Sequence, residues 1–270
     1  METFSDLLTA MMIFDTVFIQ ISKKTQIKAT RTGCSLAFVG ALLTLIFGGC
    51  ASVPNVNLDH NTAGSMRRIA VLQVPEPKDI AVINMGGAAM AFGAVGGLVQ
   101  GLNNVDHSKA FATELKRKNE LFGEEMITAL EASLKRDGYE VVVERVQKPK
   151  PTADGKGDDY TNVTVNADLI LSVWFGPVGY MSSPYSTHYE PWVVIKARLL
   201  DAKTKKEVYF KTFCVGYKMK VENLVQLPAD SRYRYGSYDD LMAHVDDAAL
   251  GLSCCCTVVA RQIGSDLDVD

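Results

Sequence analysis

The sequence predicts an α/β domain, or its α+β variant: a mixed sheet of about five strands, two long amphipathic helices on one face, and a glycine-rich apolar insertion. Three observations carry that reading. Several short runs are apolar throughout, RRIAVLQV at 67–74 being the first, as expected of strands covered on both sides. Two long stretches, 108–140 and 237–263, instead repeat apolar residues every three or four positions, the period of a helix with one buried face. Polar segments bearing Pro and Gly separate these runs.

In chain order, the first strand at 67–74 is stopped by PEPKD. The stretch 108–140 reads as a long helix: Phe111, Leu115, Phe122, Met126, Ala129 and Leu134 share one side. Ser108 is its expected N-cap and Gly138, after Asp137, its C-terminal stop; Gly123 in the middle weakens it. YEVVVERV at 139–146 is a second strand, 147–162 a polar mobile loop, and ADLILSVWFGPV at 167–178 a third strand. Residues 191–218 form a hairpin turning at DAKTKK, with Val193, Ile195, Ala197 and Leu199 inward and Val194, Lys196 and Arg198 alternating with them. A capping box, Ser237 with Asp240, opens the last helix, whose stripe is Leu241, Val245, Ala248, Leu252, Cys255, Val259 and Ile263.

The chain has 270 residues, 47% hydrophobic and 22% charged, with net charge −3. That suits one domain with a substantial core and lacks the concentrated basic face that nucleic acid demands. Charge is uneven, however: residues 35–57 and 80–105 carry none.

The first uncharged run lies behind Lys23, Lys24, Lys28 and Arg31. SLAFVGALLTLIF, 35–47, has the length of a signal-peptide core and is short for a bilayer span. Gly48, Gly49 and Cys50 follow. This order resembles the lipobox of bacterial lipoproteins, with Phe47 where leucine is commonest. The resemblance implies cleavage between Gly49 and Cys50, a diacylglycerol thioether on Cys50 and further acylation by a fatty acid such as palmitate. A thiol is the side chain nucleophilic enough for that bond. The alternative is an uncleaved membrane anchor that contains Cys50. Residues before the basic region are surplus to a signal peptide, which a downstream translation start would explain. Ala51 and Ser52, with no Asp after the cysteine, resemble the sorting pattern for the outer membrane, the domain facing the periplasm; inner-membrane anchoring is the alternative. The expected organisation is therefore 1–49 signal peptide with a surplus extension, 50–66 lipid-anchored flexible tether, and 67–264 a single α/β domain with the insertion at 80–105.

Within that insertion Ala89, Gly93, Gly97 and Gly101 recur every four residues. On a helix they make a small-xxx-small stripe, a glycine zipper suited to close packing. The segment holds six glycines, and at about 1 kcal/mol each against alanine a lone helix is disfavoured by about 6 kcal/mol. Something must pack on it: its own domain, another copy, or the bilayer. A disordered or strand-like loop is the remaining reading.

The lipobox, the first strand, the hairpin and the closing helix together are similar to envelope lipoproteins of the curli-secretion family and the TolB amino-terminal domain. That likeness implies an assembly or secretion-accessory role, without catalysis, and supplies no functional residue. A secretion-channel subunit would need a hairpin able to line a barrel, whereas Lys203, Lys205 and Lys206 make this one short and charged.

Cys214 lies in the hairpin and Cys254, Cys255 and Cys256 in the last helix, so a Cys214–Cys255 disulfide is one expectation and small buried hydrophobes the other. Adjacent helical cysteines point about 100° apart and cannot converge on one metal. His60, His107, His188 and His244 show no ligand spacing, and no nucleophile elbow or Walker sequence occurs. No cofactor, metal or enzymatic activity is expected. Two aromatic-rich loops remain, 174–192 with Trp174, Tyr180, Tyr185, Tyr189 and Trp192, and 231–238 with Arg232 and Arg234. They pack over the sheet ends or anchor a partner. The expected function is a lipid-anchored envelope lipoprotein that binds membrane through its acyl group and a protein partner or itself. The alternative is a periplasm-facing ligand-binding or hydrolytic domain with a deep polar pocket beneath Tyr180 and Tyr189.

Overall fold

The computed structural model describes residues 52–58, 66–85, 93–153, 157–184, 186–219 and 221–268, with side chains outside 93–102. Cys50, Gly49, Ala89 and Tyr185 lie outside the described residues. Two units are distinguished. The described part of the first is Ser52, Val53, Met219 and 221–222; Ser52 bridges Glu222 in parallel, and the Val53 N–H donates to the Glu222 carbonyl at 3.0 Å. The second, from Pro54 to Lys218 and from Asn223 onward, carries the sheet and helices.

The second unit is a mixed seven-stranded sheet with helices on one face. Strands β1 (Arg68–Leu72), β2 (Ile80–Asn84), β3 (Glu140–Glu144), β6 (Leu169–Ser182), β7 (Tyr189–Asp201), β8 (Glu207–Gly216) and β9 (Leu224–Leu227) form it. The order is β3-β1-β6-β7-β8-β9, with β2 beside β6 in line with β1. Only β7 runs against the rest, because β6–β7 and β7–β8 are the antiparallel pairs and the others are parallel. Two-residue strands β4 (Lys150–Pro151) and β5 (Asp158–Asp159) make a separate ribbon inside the segment read as a loop. The expected five strands were too few because β2 and β9 are four or five residues long and lack a helix or strand period of their own.

Helices α1 (Gly93–Arg117), α2 (Phe122–Arg136), α3 (Tyr238–Ala243) and α4 (Val245–Leu267) replace the two expected long ones. Both expected helices break once. Asn119 takes φ +55° between α1 and α2, and His244 (φ −120°, ψ 38°) separates α3 from α4. The stripes are placed as the period requires: Phe111, Leu115, Phe122, Met126 and Leu134 are buried, Ala129 packs at the core's margin, and all seven stripe residues of α3 and α4 are buried. The Ser237 hydroxyl accepts from the Asp240 N–H at 3.1 Å, the expected cap, and Gly138 takes φ +85°.

Ser108 is no N-cap; it lies inside α1, which starts fifteen residues earlier at Gly93. The insertion is likewise not one helix. Residues 80–84 form β2, and the glycine-rich residues from 93 open α1. Gly93, Gly97 and Gly101 therefore lie on one helix at the expected four-residue spacing.

Gly123 has a packing reason. A Cβ there would sit 2.5 Å from the Val74 carbonyl and 2.7 Å from Glu76 Oε1. Glu76 accepts from the Gly123 N–H at 2.9 Å, so the start of α2, whose N-cap Leu121 offers no side-chain bond, is closed from a loop 47 residues away.

The 50–66 tether is pinned within its length. Val56 and Phe210 exchange both backbone hydrogen bonds, at 2.8 and 2.9 Å, and Leu58 is buried.

Candidate interaction surface

Tyr180, Tyr189 and Trp192, expected in a loop, are strand residues and interior ones. The reason is a bulge. Between Phe175 and Val178, β6 holds one residue more than β7, and Gly176-Pro177 occupies that irregularity. Before it, Leu169, Leu171 and Val173 face the helices; after it the parity flips and Val178 and Tyr180 do. The Tyr180 hydroxyl then donates to the Ala248 carbonyl at 3.0 Å, with Phe111 and Tyr235 packed edge-on at 5.8 and 5.5 Å. The space beneath Tyr180, where a ligand pocket was the alternative, is filled by these groups and by α4 at Gly251.

Trp174 is half-buried and serves Arg198. That guanidinium lies 5.4 Å from the Trp174 ring, 5.1 Å from Phe210 and 5.9 Å from Tyr160, and donates to Glu207 at 2.6 Å. Trp192 lies on the sheet face turned away from the helices, as does Cys214.

That placement corrects the disulfide. Tyr209 and Lys211 reach Asp266 of α4, so alternation turns Cys214 to the opposite face, while Cys255 points from α4 into the core. Both thiols are free; Cys214 donates to the Tyr217 carbonyl at 3.3 Å and Cys255 to that of Gly251 at 3.2 Å. Burial pushes the Cys214 thiol up to about 12 and raises those of Cys255 and Cys256 as well, so none is a ready nucleophile.

Arg232 and Arg234 do come together with other polar groups. A shallow groove of about 440 Å3 is lined by Arg232, Tyr233, Arg234, Tyr235, Asp240, His244 and Asp247. Three local devices hold it. Asp230 caps a 3-10 turn, Ser231–Tyr233, and pairs with Arg232 at 2.6 Å. Tyr235 exchanges backbone bonds with Tyr189 at 2.8 and 3.0 Å. Gly251 lets Tyr233 rest on α4, where a Cβ would lie 2.7 Å from Tyr233 Cβ. Arg234 pairs with Glu190. His244 Nδ1 lies 2.9 Å from the Asp240 carbonyl and 3.2 Å from its carboxylate; that carbonyl bond above all, then Asp240 and Asp247, raises the imidazole pKa and favours the charged ring.

A larger groove, about 680 Å3, runs between α2 and α4. Leu121 and Leu250 stand at it, 52% and 56% exposed. Its polar floor includes Glu125, whose carboxyl pKa burial raises despite a hydrogen bond from Ser253. Neighbouring Glu124 is instead held down at about 2, by Arg145 first and Gln73 second. Sequence reasoning missed Leu121, which stands at the N-cap of α2 beside a helix break it did not foresee, and it missed Leu250. Leu250 did carry a signal, standing between stripe positions Ala248 and Leu252.

Chemically, the first groove offers charged groups and tyrosine rings, and the second offers charged groups and exposed leucines. That is the composition of a protein-contact surface. Among the described residues, no three His, Cys, Asp or Glu side chains are grouped to hold a metal ion. Ser186 Oγ lies 3.4 Å from His188 Nδ1, but His188 is exposed and the two are only two residues apart.

Neither a family model nor a curated protein matches the chain. The fold is similar to three solved structures of low identity. The PelC dodecamer from Paraburkholderia phytofirmans shares 14% identity, covering 82% of this chain and 95% of that one at TM-score 0.31. The hypothetical protein CT253 from Chlamydia trachomatis shares 11%, covering 76% and 98% at 0.36. Lipoprotein GNA1162 from Neisseria meningitidis shares 13%, covering 74% and 99% at 0.28. A lipoprotein is thus among the structures this fold resembles. None of these scores reaches 0.5, and no residue role passes from those proteins to this one.

Proposed function

We propose that this chain is a lipid-anchored lipoprotein of the bacterial cell envelope, acylated on Cys50, whose α/β domain serves assembly or interaction and has no catalytic role. The observation that carries the reading is the order of basic region, 13-residue apolar core and Gly-Gly-Cys, residues 23–50. The outer membrane, with the domain in the periplasm, is the proposed address.

The fold fits a short leash. Val56, which is paired to Phe210, stands six positions after Cys50, a reach of about 20 Å at most. The grooves beside Leu121 and Leu250 and around Arg232 and Arg234 are the proposed contact faces. Self-association through Gly93, Gly97 and Gly101 is the proposed oligomer contact; Ala89, the fourth member of the stripe, is outside the described residues.

Mass spectrometry of the mature amino terminus tests the anchor. The expected product begins at Cys50 with acyl chains attached, and Cys50→Ser releases the protein from the membrane fraction. An intact chain that retains residues 1–49 and carries no lipid overturns the reading.

A further inference from the structure

We propose that the sheet face turned away from the helices carries an oxyanion site, built from Lys196, Arg198 and Thr212 beside the Trp174 ring, whose ligand is a phosphate group. Trp174, Lys196 and Thr212 stand directly opposite one another across β6, β7 and β8, and Arg198 follows Lys196 by two residues. Directly opposed side chains share one face, with Cβ atoms about 4.5–5.5 Å apart, and residues two apart on a strand share it too. It is the face of Trp192 and Cys214, because the alternate positions Ile195, Ala197 and Phe213 join the core under the helices.

Both unmet groups at this place can donate. Thr212 is 2% exposed, and its Oγ1 has no hydrogen-bond partner among the described residues. Lys196 is half-buried, and no carboxylate among the described residues lies within ion-pair distance of it. Arg198 is paired with Glu207 at 2.6 Å, so one carboxylate stands against two adjacent cations. Burial first, and the Arg198 charge second, lower the Lys196 pKa from its ordinary 10.5, the direction expected of an ammonium without a counter-charge. A desolvated cation and a buried hydroxyl each cost free energy until an acceptor reaches them. An ammonium has donors alone, so the ligand must accept, and it must be negative to balance the excess cation. Phosphate supplies that charge with several acceptor oxygens, enough for the ammonium and the hydroxyl together.

The phosphate can belong to a free ion or to a lipid headgroup. Val56 pairs with Phe210, two residues before Thr212 on β8, so the amino-terminal tether leaves the sheet close to the site. Binding does not require the tether to be acylated, and the inference stands apart from the Cys50 reading.

The test titrates inorganic phosphate, at constant ionic strength, into the full-length chain in a detergent that lacks phosphate. The Trp174 indole and lysine Cε resonances are followed by NMR, that of Lys196 being assigned by its loss in Lys196→Met. In wild type both signals should shift saturably, and the Lys196 pKa should rise when phosphate is bound. Lys196→Met should bind about ten- to hundredfold more weakly by the Trp174 signal, the effect of a lost hydrogen bond between charged groups, and Thr212→Val about tenfold. Lys196→Arg, which keeps the charge, should still bind. Phosphatidylglycerol mixed into the micelles separates the two sources: competition with phosphate supports a headgroup in the site, and its absence supports the free ion. A wild type that responds to neither phosphate nor the lipid overturns the proposal, as does equal binding by wild type, Lys196→Met and Thr212→Val. Should Lys196→Met fail to fold, Thr212→Val carries the same comparison.

Discussion

Tyr209 on β8 and Asp266 in the last turns of α4 are joined at 2.8 Å, the phenol donating to Oδ2, and Lys211 donates to the same oxygen at 3.0 Å. One carboxylate thus ties two residues of a central strand to the closing helix. Both members of the ion pair are largely enclosed, with side-chain exposures of 16% for Lys211 and 12% for Asp266. Burial, with Asp266 adding to it, raises the Tyr209 pKa, so the phenol remains a donor throughout the physiological range.

Removing one partner should cost more than removing both. Asp266→Ala leaves a half-desolvated ammonium and a buried hydroxyl without their acceptor, and should lower unfolding stability by about 3 kcal/mol. The pair Asp266→Leu with Lys211→Met should recover most of that loss. Denaturant titration of wild type, Asp266→Leu, Lys211→Met and the double variant gives the coupling; additive losses would show that the ion pair is not linked as the geometry indicates.

Gly251 sets two magnitudes against each other. Alanine in a helix interior gains about 1 kcal/mol over glycine. Its Cβ would, however, lie 2.6 Å from Tyr180 Oη and 2.7 Å from Tyr233 Cβ, and overpacking of that kind costs about 1–3 kcal/mol. Gly251→Ala should therefore melt lower than wild type by a few degrees, and fluorescence should report Tyr233 displaced from the groove. A variant that melts higher would mean the 3-10 turn gives way freely.

Glu125 predicts a pH dependence with a definite sign. Its folded-state carboxyl pKa is raised from 4.5, by burial first and by Glu120 and Glu76 as like charges, against the Ser253 bond. The folded state therefore holds the proton more tightly than the unfolded chain. This group's contribution is fully present below pH 4.5 and is lost as pH rises through the raised value. Glu125→Gln keeps an acceptor for Ser253 and carries no charge, so it should be more stable than wild type near neutrality and equal to it in acid. Chemical denaturation at pH 4 and pH 7 decides; a variant destabilised at pH 7 but not at pH 4 would assign Glu125 a net favourable charge.

The α2–α4 pair shows how far local pattern reaches. Both faces of contact were legible, because a 3.6-residue period in apolar side chains survives whatever tertiary partner covers it. So were the hairpin and the Ser237–Asp240 cap, whose hydrogen bond spans three residues. The start of α2 was not, since its cap is Glu76, from a loop far upstream. Among the proposed contact residues, Arg232 and Arg234 were legible as an Arg-Tyr alternation. Tyr180 was read as a loop residue because Gly176-Pro177 looks like a turn and is instead a bulge within β6.

The sequence alone determined the helical stripes, the buried alternation of the hairpin and the α/β class. Each depends on spacing along the chain, and spacing is written in one dimension. Tertiary structure alone decided that Ile80–Asn84 is a strand, that Asn104 and Ser108 cover its edge, and that Cys214 and Cys255 lie on opposite sides of β8. Those outcomes depend on hydrogen-bond partners and backbone approaches supplied by residues distant in sequence, which no local period records.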